Sequence, residues 1–331
     1  MGAWAVLIAV AQAPLCGQQT LRALLVAADG SGDYTSVQQA VDAAPPGSRI
    51  LIAPGTYREV VVVIKHSLCL SGSGAKPEDT VIVFDNSAGS TGSTFRSATV
   101  DVRGDNFCAE NLTIANDFNA THPQLPQGSQ ALALSVTADR AVFRHVRLLG
   151  NQDTLYAASR NCHPDGKPCV PARQYFADCY VEGNVDFIFG DGKAVFDRCQ
   201  IHSTRHEGGY VTAQGKHYSE EDSGFVFNQC RLTAEPGVAH VWLGRPWRAY
   251  ATVVFLDSEM GAHIEPAGWR EWRPGETRYM ETVLFAERNS TGAGAHAGQR
   301  DPHTKRLGAG EAVRFEPARF LAGLDGWDPT R

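Results

Sequence analysis

The sequence predicts an all-β solenoid, a right-handed parallel β-helix with a short N-terminal capping helix. Three observations predict it. The first is a recurring pattern of an aromatic, two residues, a small or apolar residue, one residue, then an aliphatic. It reads Phe143-x-x-Val146-x-Leu148, Phe176-x-x-Cys179-x-Val181, Phe196-x-x-Cys199-x-Ile201, Phe227-x-x-Cys230-x-Leu232 and Phe255-x-x-Ser258-x-Met260, with a weaker copy at Ala109-x-x-Leu112-x-Ile114. Imperfect repeats of this length are the mark of stacked coils. The second is 33 glycines spread along the chain instead of gathered in one tract, which favours many turns. The third is the lack of any long helical pattern between strand-like segments, which disfavours a βαβ sheet. A β-sandwich would need hairpin turns at regular spacing, and none recur.

The elements follow in order. Met1 to Ala13 is apolar and ends in an Ala-x-Ala pattern, as a signal peptide does, although no Lys or Arg precedes Arg22. We expect residues 1–20 to be a signal or disordered leader and 21–331 to form one β-helix domain. An open solenoid end exposes strand edges and needs a cap. Thr35–Ala44 suits that task, because Val37, Ala40, Val41 and Ala44 share one helical face. Thr35 with Gln38 reads as a capping box, and Pro45-Pro46-Gly47 ends the helix. Apolar strands are expected at Arg49–Ala53, Val60–Ile64 and Val81–Asp85. Within each repeat the last two key positions alternate as on a strand. The wider gap to the aromatic points to a turn between two short strands. Arg288 to Lys305 reads as a loop before a last packed segment ending near Trp327.

Composition narrows the function. A net charge of −6 and a pI near 6.0 give a nucleic-acid partner no electrostatic support. No apolar run reaches the roughly 18–20 residues of a membrane helix. Eight cysteines without a C-x-x-C pair fit an oxidising compartment better than a structural zinc site. Cys162 and Cys169 bracket a Pro/Gly-rich loop suited to closure by a disulfide. Cys179 and Cys199 hold equivalent places in two repeats, so stacking of coils brings them near each other.

Chemistry concentrates around two acids. Asp186 sits in V-E-G-N-V-D-F-I-F-G, where apolar neighbours make ionisation costly unless something pairs with it. Asp153 sits in G-N-Q-D-T-L-Y. Taken singly, Asp186 could cap a turn between coils and Asp153 could make an Asx-turn. Each, however, lies ten residues after a repeat aromatic, Phe143 or Phe176, so coil stacking places both on one face. Two carboxylates at the strand spacing of about 5 Å do not both ionise cheaply. Arg245, in L-G-R-P-W, is a permanent cation able to grip one of them through two hydrogen bonds. Gln130 and Gln152 carry amide donors suited to a developing oxyanion. Tyr156, Phe189, Trp247, Trp269 and Trp272 are aromatics available for a sugar-binding cleft.

These motifs together resemble pectin methylesterase, a carbohydrate esterase family with a right-handed β-helix. The resemblance runs from about Leu25 to Trp327. It is carried by D-G-S-G-D-Y at Asp29–Tyr34, P-G-T-Y-R-E at Pro54–Glu59, Q-A-L-A-L at Gln130–Leu134, G-N-Q-D-T-L-Y and V-D-F-I-F-G. Y-V-T-A-Q-G-K at Tyr210–Lys216, L-G-R-P-W and G-W at Gly268–Trp269 follow in family order. It implies that Asp186 is the nucleophile, Asp153 the acid/base, Gln130 and Gln152 the anion hole, and Arg245 the residue orienting the nucleophile. It also implies that Tyr156 and Trp247 contact substrate and that Cys179 and Cys199 are paired. We assign Phe189, Thr212, Gln214 and Trp269 as further substrate-binding candidates. Val185 stands before the nucleophile where some relatives carry an aromatic, and the Arg160–Ala172 loop looks like an insertion.

The implied reaction is hydrolysis of C6 methyl esters of galacturonate units in pectin, with no cofactor and no metal. The implied partner is methyl-esterified homogalacturonan, met by a monomeric secreted or periplasmic protein. Two other readings stay open at this level. One is a different β-helix pectinase, although lyases need a calcium-binding acid cluster and polygalacturonases several clustered aspartates. The other is a glycan-binding scaffold without activity.

Overall fold

A computed structural model of the protein describes residues 23–125, 129–160, 162, 166–204, 208–296 and 298–331. The expected leader, residues 1–20, lies outside them. Three long sheets run along the molecule, of eleven, eight and seven strands, and their strand pairings are parallel. The chain passes from the first sheet to the second to the third, then returns one coil further on. This is a parallel β-helix, right-handed as parallel crossovers are. The first sheet extends from Leu24–Val26 to Lys305–Arg306.

The repeat seen in the sequence is the register of the coils. Phe143, Phe176, Phe196, Phe227 and Phe255 are Cα partners in succession along the first sheet. Their rings stack with centroids 4.6, 4.8, 4.7 and 4.5 Å apart. Leu148, Val181, Ile201, Leu232 and Met260 form the matching column in the second sheet. The expected turn is one residue in the left-handed region, two positions after the aromatic: His145, Asp178, Arg198, Gln229 and Asp257 have φ between 48 and 54°. That conformation is strained for a side-chain-bearing residue. It persists because each of these N–H groups donates to a carbonyl of the next coil, as from Asp178 to Asp197 and Arg198 to Asn228. Phe196 lies between two stacked rings with no exposed surface. Truncating it to alanine removes both contacts and leaves a cavity, so F196A is expected to cost about 3–5 kcal/mol in urea unfolding.

The cap forms one residue later than expected. The helix, Val37–Ala43, has Ser36 as its N-cap, and Ser36 Oγ accepts from the Gln39 N–H at 3.3 Å. Thr35 and Gln38 do not make the predicted capping box. Glu59, distant in sequence, accepts from the Val37 and Gln38 N–H groups at 2.8 and 2.9 Å. Gln38 instead accepts from Val62 N–H at 2.6 Å, on the outermost strand of the third sheet, Val61–Val63. The helix thus blunts an edge that would otherwise template pairing. At the other end, short helices at Ala309–Ala312 and Pro317–Leu321 cover the outer face of the first sheet, packing on Tyr175, Val195, Val226 and Val254.

Cys162 and Cys169 are joined as expected. Cys179 and Cys199 are not; both are free and buried, as is Cys230. These thiols occupy the bend, where they lie within hydrogen-bonding distance of first-sheet carbonyls: Cys179 to Phe143 at 3.5 Å, Cys199 to Phe176 at 3.4 Å and Cys230 to Phe196 at 3.2 Å. Ser258 makes the same contact to Phe227 one coil on, at 3.3 Å. The column is therefore a run of thiol and hydroxyl donors, each placed against a carbonyl of the neighbouring coil. The second disulfide is Cys69–Cys108, between Cα partners on neighbouring first-sheet strands.

Candidate active site

Third-sheet strands build the site because their outward column faces a cleft. Tyr156 is the Cα partner of Phe189, and Phe189 of Ala213. Asp153 and Asp186 each stand two residues before their strands, Leu155–Ala157 and Ile188–Gly190. The Asp153 N–H donates to the Val185 carbonyl at 3.0 Å, and Leu155 N–H to Phe187 at 2.9 Å. One acid therefore stands directly over the other, one coil apart. Both have left-handed backbone, φ 63° at Asp153 and 50° at Asp186. Aspartate tolerates this better than most residues, and the strain is of the kind that persists at functional sites.

A cavity of about 290 Å³ joins Gln130, Gln152, Asp153, Asp186 and Arg245. Arg245 follows the strand Trp242–Gly244, two coils beyond Asp186, and its side chain reaches back. Its Nε donates to Asp186 Oδ1 at 2.9 Å and its Nη2 to Oδ2 at 2.7 Å. The guanidinium lies 4.0 Å from the Tyr210 ring centroid and 4.3 Å from that of Trp272, and its Nη1 donates to the Trp272 carbonyl. Two aromatic faces and a carbonyl fix the cation, so both oxygens of Asp186 are gripped in one geometry.

Electrostatics separates the two acids. Burial pushes the Asp153 carboxyl well above the usual range, and the charge of Asp186 pushes it further, against a weaker pull from Arg245. Burial also raises Asp186, but hydrogen bonds and charge from Arg245 oppose that rise. Of the pair, Asp153 is pushed further towards its protonated form, and Asp186 is the one with a cation paired to it.

Other candidates divide by which way their strand position points. Phe189 and Trp247 line the cavity with Trp272, and Tyr156 packs on Phe189 at 5.0 Å between ring centroids. Thr212, Gln214 and Trp269 do not belong to it. Thr212 is in register with inward-facing Ile188, is fully buried, and donates to the Leu243 carbonyl at 2.8 Å. It packs so closely on Gly244 that a Cβ there would lie 2.0 Å from Thr212 Oγ1. Gln214 is also fully buried, with its side-chain oxygen accepting from Lys216 and Thr252 N–H groups. Trp269 continues the third sheet by a bridge to Gly244 and turns its ring inward, stacked on Phe285 at 4.2 Å. It closes the end of the core. Thr94 and Phe95 line the cavity without having been anticipated, and Phe95 packs on Tyr156 at 5.0 Å. Both come from the single 3-10 turn Thr94–Arg96, whose sequence carries no period to betray its position.

Two groups of three potential metal ligands occur among the described residues, Cys69, Cys108 and Glu110, and Cys162, Cys169 and Asp191. In both the cysteines are spent in disulfides, and a disulfide offers no thiolate. No described helix is long and apolar enough to cross a membrane.

Comparison with known proteins gives one answer. A family profile for pectinesterases matches residues 23–324. The chain is 37% identical to pectinesterase 31 of Arabidopsis thaliana, over 91% of this chain and 93% of that protein. Its structure is similar to that of pectin methylesterase from carrot, with a TM-score of 0.79 and 32% identity across 94% of this chain and 95% of the carrot chain. A pectin methylesterase solved in complex with a hexasaccharide is 27% identical, with a TM-score of 0.74 over 93% of this chain and 98% of its own.

Proposed function

This chain belongs to the pectinesterase family, and on that premise we propose that it removes C6 methyl esters from galacturonate units of pectin with Asp186 as nucleophile. The observation that carries this is the paired arginine: Arg245 holds both oxygens of Asp186, while Asp153, one coil away, has no such partner among the described residues. An ionised carboxylate beside a protonated one, with two glutamine amides in the same cavity, suits acyl transfer.

In the proposed reaction a sugar ring lies against the aromatic wall of Tyr156, Phe189 and Trp247, and its ester carbonyl faces Asp186. A carboxylate oxygen of Asp186 attacks the carbonyl carbon. The Gln130 and Gln152 amides donate to the oxygen that becomes negative. As the tetrahedral intermediate collapses, the bond to the methoxy oxygen breaks and Asp153 gives that oxygen its proton, releasing methanol. Asp153, now ionised, takes a proton from a water molecule that attacks the acyl-enzyme. Collapse frees Asp186 and the galacturonic acid, which gives its proton to solvent to become the carboxylate, and Asp153 is protonated again. Two disulfides, and relatives named for action on pectin, support an extracellular place of work.

Purified protein is expected to release methanol from highly methylated pectin while chain length stays constant. Chain shortening, or an unsaturated product without methanol, would assign a glycosidase or lyase instead. Folded protein releasing nothing would favour another ester or a binding role.

A further inference from the structure

A second polar cavity lies away from the catalytic cleft, where the C-terminal segment crosses the starts of first-sheet strands. Lys193 is in register with Gly224, and Thr252 with Leu284. Gly224 packs so closely on Thr252 that a Cβ there would lie 2.8 Å from its Cγ2, and a hollow lies beside this row. Phe315 and Phe320 roof the hollow, giving a cavity of about 260 Å³.

Its lining is richer in cations than in available anions. Lys193, Lys216, Arg314 and Arg319 face it, against Glu221 and Asp222. Asp222 is paired with Lys193, whose ammonium also lies 4.7 Å from the Phe320 ring centroid. Glu221 is occupied by the N–H groups of Cys169, His217 and Tyr218. Arg319 is 3.3 Å from Glu316. Lys216 and Arg314 have no ion pair among the described residues, and Arg314 rests over the Phe315 ring at 4.6 Å. Burial pulls the Lys216 ammonium below its ordinary value, and Arg314 adds to this against the opposing charges of Asp222, Glu221 and Glu220. A second observation also points to a ligand. Ser223, 4% exposed, lines the cavity with its Oγ buried and without a hydrogen-bond partner among the described residues. An orphaned buried hydroxyl is costly and commonly marks a missing partner.

We propose that this cavity binds a small oxyanion, a carboxylate or phosphate group, held by Lys216 and Arg314 with the Ser223 hydroxyl as donor. Charge-assisted hydrogen bonds to both cations supply the attraction, and the aromatic roof limits screening by water. The site does not depend on the esterase reading, since its residues belong to the first sheet, the loop 215–223 that leads into it and the C-terminal segment, and none lies in the catalytic cavity.

Thermal melts of the full chain in sodium phosphate and sodium galacturonate, against sodium chloride at equal ionic strength, test this. A saturable rise in Tm is expected with at least one of the two oxyanions and not with chloride. Apparent affinity should fall at least tenfold in the K216Q/R314Q double variant. Should that variant not fold, S223A is expected to weaken binding several-fold by removing the donor alone. A response to phosphate alone assigns a free oxyanion, and one to galacturonate alone assigns the carboxylate of de-esterified substrate. No saturable rise with either anion, or a rise unchanged in the variants, overturns the site.

Discussion

D186N is expected to lose methanol release by a factor of about 10⁴ or more in kcat, the scale seen when a catalytic nucleophile is removed. Asparagine keeps the shape of the side chain but lacks the charge that would attack the ester. It also offers Arg245 one acceptor oxygen where the guanidinium now grips two, at 2.9 and 2.7 Å. A partly buried cation loses its counter-charge, so the variant is expected to be less stable as well as inactive. Single-turnover methanol release, with far-UV circular dichroism to establish the fold, separates the two effects. A folded D186N with near-native turnover would remove Asp186 from the chemistry. Activity falling in proportion to the unfolded fraction would make the residue structural.

The parts of this molecule that were readable in its sequence are those that coil stacking copies from one repeat to the next. Parallel, in-register strands place like residues over like, so Phe143, Phe176, Phe196, Phe227 and Phe255 print a period that survives imperfect spacing. The same offset from the aromatic located Asp153 over Asp186, and this follows from geometry alone. Alternation within a strand was harder to use. Phe189 and Ala213 point out, and one residue away Ile188 and Thr212 point in, so a motif quoted as a block mixes cleft with core. Thr212 and Gln214, two residues apart, share the inward face for that reason. Trp269 failed differently, because an end coil needs a large ring to close the core and composition cannot tell such a ring from a sugar platform. The cysteines show the limit of stacking as a guide. Equivalent places bring Cys179 and Cys199 close, but the bend also presents carbonyls, and the thiols turn to those. Extending the repeat one coil back, from Ala109 to its partner Leu70, would have set Cys108 beside Cys69.

D153N is expected to cost a similar factor, about 10³–10⁴ in kcat, through loss of the proton that leaves with methanol, but its effect on stability should have the opposite sign to that of D186N. Asp153 is nine-tenths buried, and both burial and the neighbouring Asp186 raise its carboxyl well above the usual range. In the unfolded chain the same group titrates near 3.9. Between these two values the folded protein binds more protons than the unfolded one, so stability falls as pH rises from about 4 through the folded-state value. Asparagine cannot ionise and escapes that loss. The Tm of D153N should therefore exceed that of the native protein by a margin that widens with pH across this window and levels off above it. D186N should show a smaller pH-dependent term of this kind, because Arg245 opposes the burial that raises Asp186, and its net effect should be a loss, because Arg245 is stranded without it. Paired Tm–pH curves for the two variants thus test the assignment of proton donor and nucleophile without any substrate. If D153N destabilises at every pH, Asp153 is held ionised in the fold, and the roles of the two carboxyls must be exchanged.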